Sequence, residues 1–185
     1  MKPSSSIKES VALICPRCGE RLVSPSGSVK AEIGLLGEFP GIDEKKAGHP
    51  FVGPTGRILR TELARFGIPL WECKVTNLWG HDPIEKNETE FDFHFGNAVK
   101  FLKTCKYLLL MGSEVSHAFL DQNVTDVTGL NVKCTFFPNA VIIVPSPNPA
   151  ILMHSTLGEF RFALQRFSEL TTKEKERGRK DHKKK

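Results

Sequence analysis

An α/β fold, a three-layer α/β/α sandwich around a central, mostly parallel four-stranded sheet, is predicted by three observations. Short apolar runs alternate along the chain with longer stretches of helical periodicity. Such alternation builds a parallel sheet with helices on both faces. The 185 residues, 39% of them hydrophobic, supply material for a single core.

The first strand is Ala31 to Glu38, an apolar run closed by a glycine turn. After a polar loop, Ile58, Leu59, Leu63 and Phe66 fall near helical spacing and stop at Gly67. A second strand follows at Cys73 to Trp79. The polar stretch from Gly80 to Asp92 leads into a helix that holds Ala98, Val99, Phe101 and Leu102. "YLLLMG" from Tyr107 is the clearest buried strand, and the helix behind it has Ser113 to cap its N-terminus. A short strand around Val132 to Cys134, a Pro-Asn turn and a fourth core strand, Val141 to Val144, come next. An amphipathic helix over residues 156–172 closes the domain of residues 12–172.

Residues 1–11 read as a disordered start and 173–185 as a basic tail. From Lys173 onward eight Lys or Arg face three acids, so the tail carries the whole net charge of +5. Two readings stand side by side: a solvated end, or a contact to polyanion phosphates without sequence choice. The N-terminus has no apolar signal-peptide core and no run reaches membrane-spanning length, so a cytoplasmic, nucleoid-associated protein without membrane contact is expected. Five cysteines, an odd number, then point to reduced thiols or metal ligands rather than to a disulfide framework.

In a doubly wound sheet, ligands bind beyond the carboxyl ends of the strands. The loops at Glu38, Asn77, Gly112 and Pro145 to Asn148 therefore converge on one site. The first, "GEFPGIDEKKAGHPFVGPTG", holds glycines at 37, 41, 48, 53 and 56 and prolines at 40, 50 and 54, which predicts a rigid, tightly turned lip. Its spacing matches neither phosphate-binding glycine motif. What it offers is Glu38, Asp43 and Glu44 as acids and Phe51 as an aromatic plate.

These residues carry a resemblance. "GEFPGIDEKKAGHPFVGPTGRILR" resembles the first motif of the uracil-DNA glycosylase superfamily, most closely the iron-sulfur-containing family 4. "VTNLW" is similar to that branch's T-N strand end, and "PSPNPAIL" stands where it has a His-Pro motif. The resemblance covers roughly residues 12–170. It implies a monomeric enzyme that flips a base out of single- or double-stranded DNA, as in base excision repair or phage DNA metabolism. The enzyme would hydrolyse the N-glycosidic bond of uracil or a related damaged or modified pyrimidine.

On this reading Asn77 pairs with O4 and N3-H of the base, Phe51 stacks on it, and Phe39 borders the pocket. Glu38 and Glu44 are the carboxylates beside an oxocarbenium-like sugar, Glu44 being the water-handling one. Asn148 is the donor to the departing O2, where the family 4 branch has His. An amide carries no proton for the leaving group, and Phe39 replaces a small or polar residue. An alternative follows from both departures: a relative that binds a base or single strand without turnover. His154 substitutes for Asn148 only if its loop folds back. No lysine is placed for a Schiff base, so no lyase step is expected.

Family 4 holds a four-iron cluster on four cysteines. Cys15 and Cys18 match its first pair, while His81 and His94 stand near the other two positions. A Cys2His2 set of Cys15, Cys18, His81 and His94 suits structural zinc better than a 4Fe-4S cluster. The alternative is that Cys15 and Cys18 are free thiols and His81 and His94 ordinary loop histidines; within a metal site, Cys105 is a substitute candidate for the fourth ligand. Cys73, Cys105 and Cys134 otherwise read as packed thiols and His117 as a partly buried structural histidine. His49 reads as facing solvent or phosphate, Trp79 as a DNA wedge or a core edge. Glu38, taken alone, reads equally well as a bond acceptor for loop amides.

Overall fold

A computed structural model describes residues 13–83, 87–150 and 157–182. Among them four five-residue strands form one sheet: β1 (Ile33–Gly37), β2 (Cys73–Asn77), β3 (Tyr107–Met111) and β4 (Ile142–Ser146). Their order is β2-β1-β3-β4 and every pairing is parallel, a stricter arrangement than the mostly parallel sheet expected. Every strand residue is buried, as the continuous apolar runs require of a sheet covered on both faces.

The helices are α1 (Ile42–Ala47), α2 (Pro54–Arg65), α3 (Glu88–Leu102), α4 (Ser113–Leu120), α5 (Val124–Val127) and α6 (Leu157–His182). Strand alternation divides the core into two layers. Leu35, Leu109 and Val144 meet Leu59 and Leu63 of α2 and Phe160, Leu164 and Phe167 of α6. On the opposite face Leu36, Leu108 and Ile143 meet Leu102 of α3 and Val115 and Phe119 of α4. The chain leaves β1 for β2 on one side and later returns to β3 on the other, so the switch point lies at the carboxyl end of β1.

Several elements differ from the sequence expectation for local reasons. The glycine-rich lip contains α1, entered through extended Gly41 and closed by Gly48 in the left-handed region at φ 76°. Helix α3 starts at Glu88, because Asn87 accepts the Glu90 N–H as N-cap; its first turn was expected to be loop. Ser113 is not the cap of α4: Gly112 occupies that position at φ 111°. No strand forms at 132–134, where Val132 gives a single backbone bond to Ile143. Helix α6 runs on through residues 173–182 of the basic tail. The expected disorder of residues 1–11 falls outside the described residues, and among those described no helix is long and apolar enough to cross a membrane.

One ion pair ties α2 to α6. Arg161 donates from Nε and Nη2 to both oxygens of Glu62, each at 2.8 Å, and the Glu62 side chain is only 6% exposed. The Arg161 hydrogen bond, outweighing burial, holds the Glu62 carboxyl below its ordinary value of 4.5. A depressed carboxylate stabilises the fold above its unfolded-state value and loses that contribution as pH falls through the folded one. Arg161→Met is therefore expected to lower stability by about 1–3 kcal/mol at neutral pH, since the half-open pair is partly solvated. In denaturant unfolding at a series of pH values the gap to wild type should close below pH 4.5.

Candidate active site and metal centre

The carboxyl ends of β1 and β2 meet in register, Gly37 beside Asn77. Above them lies a cavity of about 160 Å³, lined by Gly37, Glu44, Phe51, Thr55, Asn77 and Asn148, with Glu38, Phe39, Gly41 and Ala150 around it. The site residues expected from the sequence are thus brought together; Thr55 was missed. A Cβ on Gly37 would stand 2.6 Å from Asn77 Oδ1 and 2.7 Å from the Phe51 ring, so glycine keeps the floor open. The Asn77 side chain is buried and hydrogen-bonds no other described side chain.

Phe51 is buried with its backbone in the left-handed region at φ 55°, held by Arg60, whose guanidinium donates to the Phe51 carbonyl at 2.7 Å. Gly56 lies against that same carbonyl. Phe39 lies at the rim, 47% exposed.

The two glutamates differ in their partners. Glu44, on α1, is buried and accepts the Gly53 N–H on Oε1 at 2.7 Å. Glu38 accepts the Glu114 N–H of α4 on Oε1 at 2.9 Å and the Asn148 amide on Oε2 at 2.5 Å. Asn148 Oδ1 in turn accepts the Ala150 N–H, which fixes the amide orientation and leaves its second N–H.

A second cluster lies beside this pocket. Residues 14–21 fold back on themselves through an Ile14–Arg21 bridge and the Gly19 N–H to Cys15 carbonyl bond, presenting Cys15 and Cys18. His81 Nε2 stands 3.2 Å from Cys18 Sγ, 3.1 Å from His94 Nε2 and 3.0 Å from Glu90 Oε1. Cys15 Sγ lies 3.9 Å from His94 Nε2. The donor atoms of Cys15, His81, Glu90 and His94 are all within 4.8 Å of one another, on four buried residues that could hold a metal ion.

Glu90 was not foreseen, although Glu90 and His94 are four residues apart and so share one face of α3. Its Oε1 is buried 3.0 Å from His81 Nε2, a contact in ion-pair reach that has no hydrogen-bond geometry. One proton on His81 Nε2 cannot satisfy a thiol, a carboxylate and a second imidazole together, whereas one cation between them can.

Without an ion the protonation states are mixed: burial opposes the His81 charge, but the bonds to Cys15 and to the Asp82 carbonyl outweigh it and raise that imidazole, so ligation there would release a proton. His81 faces the Asp82 carbonyl through Nδ1 at 3.1 Å, which turns the Nε2 lone pair inward. Burial, reinforced by the His81 charge, pushes His94 down to about 4, so its ring is neutral at neutral pH. Burial opposes the Cys15 thiolate, but bonds from the Arg17 and Cys18 backbone and from His81 outweigh it and lower the thiol. Desolvation, together with Glu90 and Cys15, raises Cys18 to about 11, and a bound ion would reverse that. The Gly80 N–H points at His94 Nδ1 at 3.2 Å, placing the neutral ring's proton on Nε2. Ligation through His94 Nε2 therefore requires that bond to break, while Glu90 requires no such change.

The remaining candidates fall outside both sites. Cys105 packs near Gly34 and donates to the Ala31 carbonyl, away from the cluster, so it is no substitute ligand. Cys73 and Cys134 are buried free thiols. Trp79 is a core residue, 2% exposed, packed on Phe91 and His94 and donating to Glu114 Oε2. His49 is solvent-exposed, and His117 is exposed rather than partly buried. His154 lies outside the described residues.

A parallel sheet with a small amide, aromatic and carboxylate cavity at its switch point defines an α/β protein of the doubly wound class, with its cavity where such folds bind ligands. The chain belongs to the uracil DNA glycosylase superfamily, whose family model matches residues 24–170. The type-4 uracil-DNA glycosylase of Pyrobaculum aerophilum is 33% identical over 69 residues, 35% of each chain. That of Archaeoglobus fulgidus is 44% identical over 52 residues, 28% of this chain and 26% of the relative. The chain thus spans 35% or less of those two relatives. The type-4 enzyme of Sulfurisphaera tokodaii is 24% identical over 173 residues, 84% of this chain and 78% of the relative.

In equilibrium dialysis against a divalent transition metal the chain is expected to take up one ion. Glu90→Gln should weaken retention about 10–100-fold, and more than His94→Gln does. Cys105→Ser should leave it unchanged.

Proposed function

We propose that the chain is a monofunctional DNA glycosylase that flips uracil or a related pyrimidine into this cavity and hydrolyses its N-glycosidic bond. The observation that carries the reading is the gathering of Asn77, Phe51, Glu44 and Asn148 around one small cavity at the strand ends. The Asn77 amide offers both a donor for O4 and an acceptor for N3-H of uracil. The Phe51 ring is the stacking surface. Glu44 is the acid that orients water toward C1′ of an oxocarbenium-like sugar. The free N–H of Asn148 donates to O2 as charge develops on the leaving base.

Glu38, bonded through both oxygens, acts as a positioning residue: it fixes Asn148 and receives the N-terminal amide of α4. The DNA partner follows the family, and the monomeric state is part of the proposal.

For the second cluster we infer structural zinc. A tetrahedral ion with bonds of about 2.0–2.3 Å separates its donors by about 3.3–3.8 Å. The spacings around His81 approach that edge length. A four-iron cluster takes four thiolates, and this cluster supplies two beside imidazole and carboxylate. Zinc there would pin the Cys15 turn to α3 and take no part in the bond cleavage.

One observation favours a second reading, binding without turnover: Asn148 commits one N–H to Glu38 and its carbonyl to Ala150, and an amide has no proton to give up. Base release from uracil-containing oligonucleotides separates the two. The expected result is cleavage after alkali that Glu44→Gln lowers about 10²–10⁴-fold. Asn148→Ala should lower kcat about 10²–10³-fold, and Asn77→Ala should abolish preference for uracil over thymine. Tight retention of the uracil strand with no release would instead support the binding protein.

A further inference from the structure

Helix α6 runs away from the pocket, and five of its seven Lys or Arg fall in its distal part, from Lys173 to Lys180. It follows β4, and its first turns lie at the carboxyl ends of the strands, where Phe162 covers Gly129 and Gly129 donates to the Pro145 carbonyl. Its last turns lie at the opposite end. Lys175 Nζ sits 5.5 Å over the ring of Tyr107, the first residue of β3. Glu174, Lys175, Gly178 and Arg179 border Glu32, Lys106 and Val141, which precede or open β1, β3 and β4. At 26 residues the helix is about 39 Å long, against about 17 Å for a strand of the sheet.

Within the last three turns, Lys173, Arg177 and Lys180 recur at i, i+4 and i+7 and form one exposed stripe. Lys175 and Arg179 lie on the side turned to the sheet. Glu174 stands 3.7 Å from Arg177, an exposed pair worth little that a phosphate can displace, while Glu176 and Asp181 flank the stripe at helical neighbour spacing. Exposed Lys30, Lys103 and Lys106 stand at the same end of the sheet, Lys106 paired with Glu32. The pocket end is mixed: Asp43, Asp82, Glu88, Asp92 and Glu114 lie in its loops and first helical turns beside exposed Lys46 and Arg57, Lys45 being paired with Asp82.

We propose that the distal end of α6, through Lys173, Arg177 and Lys180, binds the phosphate backbone of nucleic acid at a place separate from the base pocket. Three regularly spaced, solvated cations are matched to a regularly spaced polyanion and contribute affinity without base choice. Because the stripe and the pocket are at opposite ends of the sheet, a short strand seated in the pocket does not reach the stripe. Only long DNA, or a second segment of it, engages both, so the stripe acts as a tether that raises the local concentration of substrate. Binding at the stripe does not depend on the glycosylase reading, and its test involves no base release.

The test compares the full chain with Lys173→Gln/Arg177→Gln/Lys180→Gln, glutamine being a good helix former. Affinity for a long uracil-free duplex is measured by fluorescence anisotropy across a salt series, with circular dichroism for helix content. The slope of log affinity against log salt should fall by about 2–3, and Lys173→Arg/Lys180→Arg should retain it. Binding of a short single-stranded uracil oligonucleotide should be unchanged. A triple variant with the wild-type slope and affinity would overturn the proposal. So would an equal loss on the short oligonucleotide, which would place the stripe in the pocket's own path. A fall in helix content with unchanged duplex binding would reduce the stripe to complementing the helix dipole, and would overturn it as well.

Discussion

The architecture of the pocket depends on one carboxylate, that of Glu38. It stands where β1 ends and receives the backbone N–H of Glu114 at the start of α4, a helix whose own cap position supplies no side chain. An anion is favoured there because the first amides of a helix are unpaired and its dipole is positive at that end. The same carboxylate holds the Asn148 amide from the loop after β4. Three segments far apart in sequence are thereby joined at one group. Gly112 is required on two counts: its φ of 111° and the Glu38 carboxyl carbon, 2.3 Å from where a Cβ would stand.

This anchoring separates the roles of two acids that look equivalent in the linear motif. Glu38 and Glu44 are six residues apart in one loop, yet the first is saturated by an amide and a helix terminus while the second is held by one amide, Gly53, against the cavity. A carboxylate with both oxygens committed is a poor handler of water; one held by a single oxygen is positioned with capacity to spare. The proposed division of labour between them therefore rests on α4 and the loop after β4, neither of which lies in the motif.

Three of the four strands were legible as short apolar runs, while β2 carries Lys74, Thr76 and Asn77 among its buried residues, and the loop cluster followed from the alternation of strand and helix. The site was legible in its residue types and not in its connections. Helix α1 was hidden because three glycines and two prolines around it outweigh its own short run of helix formers, Ile42 to Ala47. Glu90 was hidden by an error of five residues in the start of α3; once Asn87 is the N-cap, Glu90 and His94 fall on one face. The Ser113 cap failed because a long-range carboxylate does the work that a local hydroxyl does elsewhere. The absent strand at 132–134 has the apolar pattern but only one ladder bond to β4.

The two sites share a segment, and this links them physically. From Asn77 to His81 every residue serves the pocket, the cluster or the joint between them. Asn77 faces the cavity. Leu78 and Trp79 extend the pairing with β1 by donating to the carbonyls of Gly37 and Glu38 at 2.7 and 2.9 Å. The Trp79 indole packs on His94 and donates to Glu114, whose own N–H holds Glu38. Gly80 donates to His94, and His81 is the centre of the cluster. An ion that draws Cys15, His81 and Glu90 together would fix the far end of the segment whose near end presents Asn77. Its effect on the pocket would be one of geometry: α3 would be held against the strand end, and Asn77 would keep its place at the cavity.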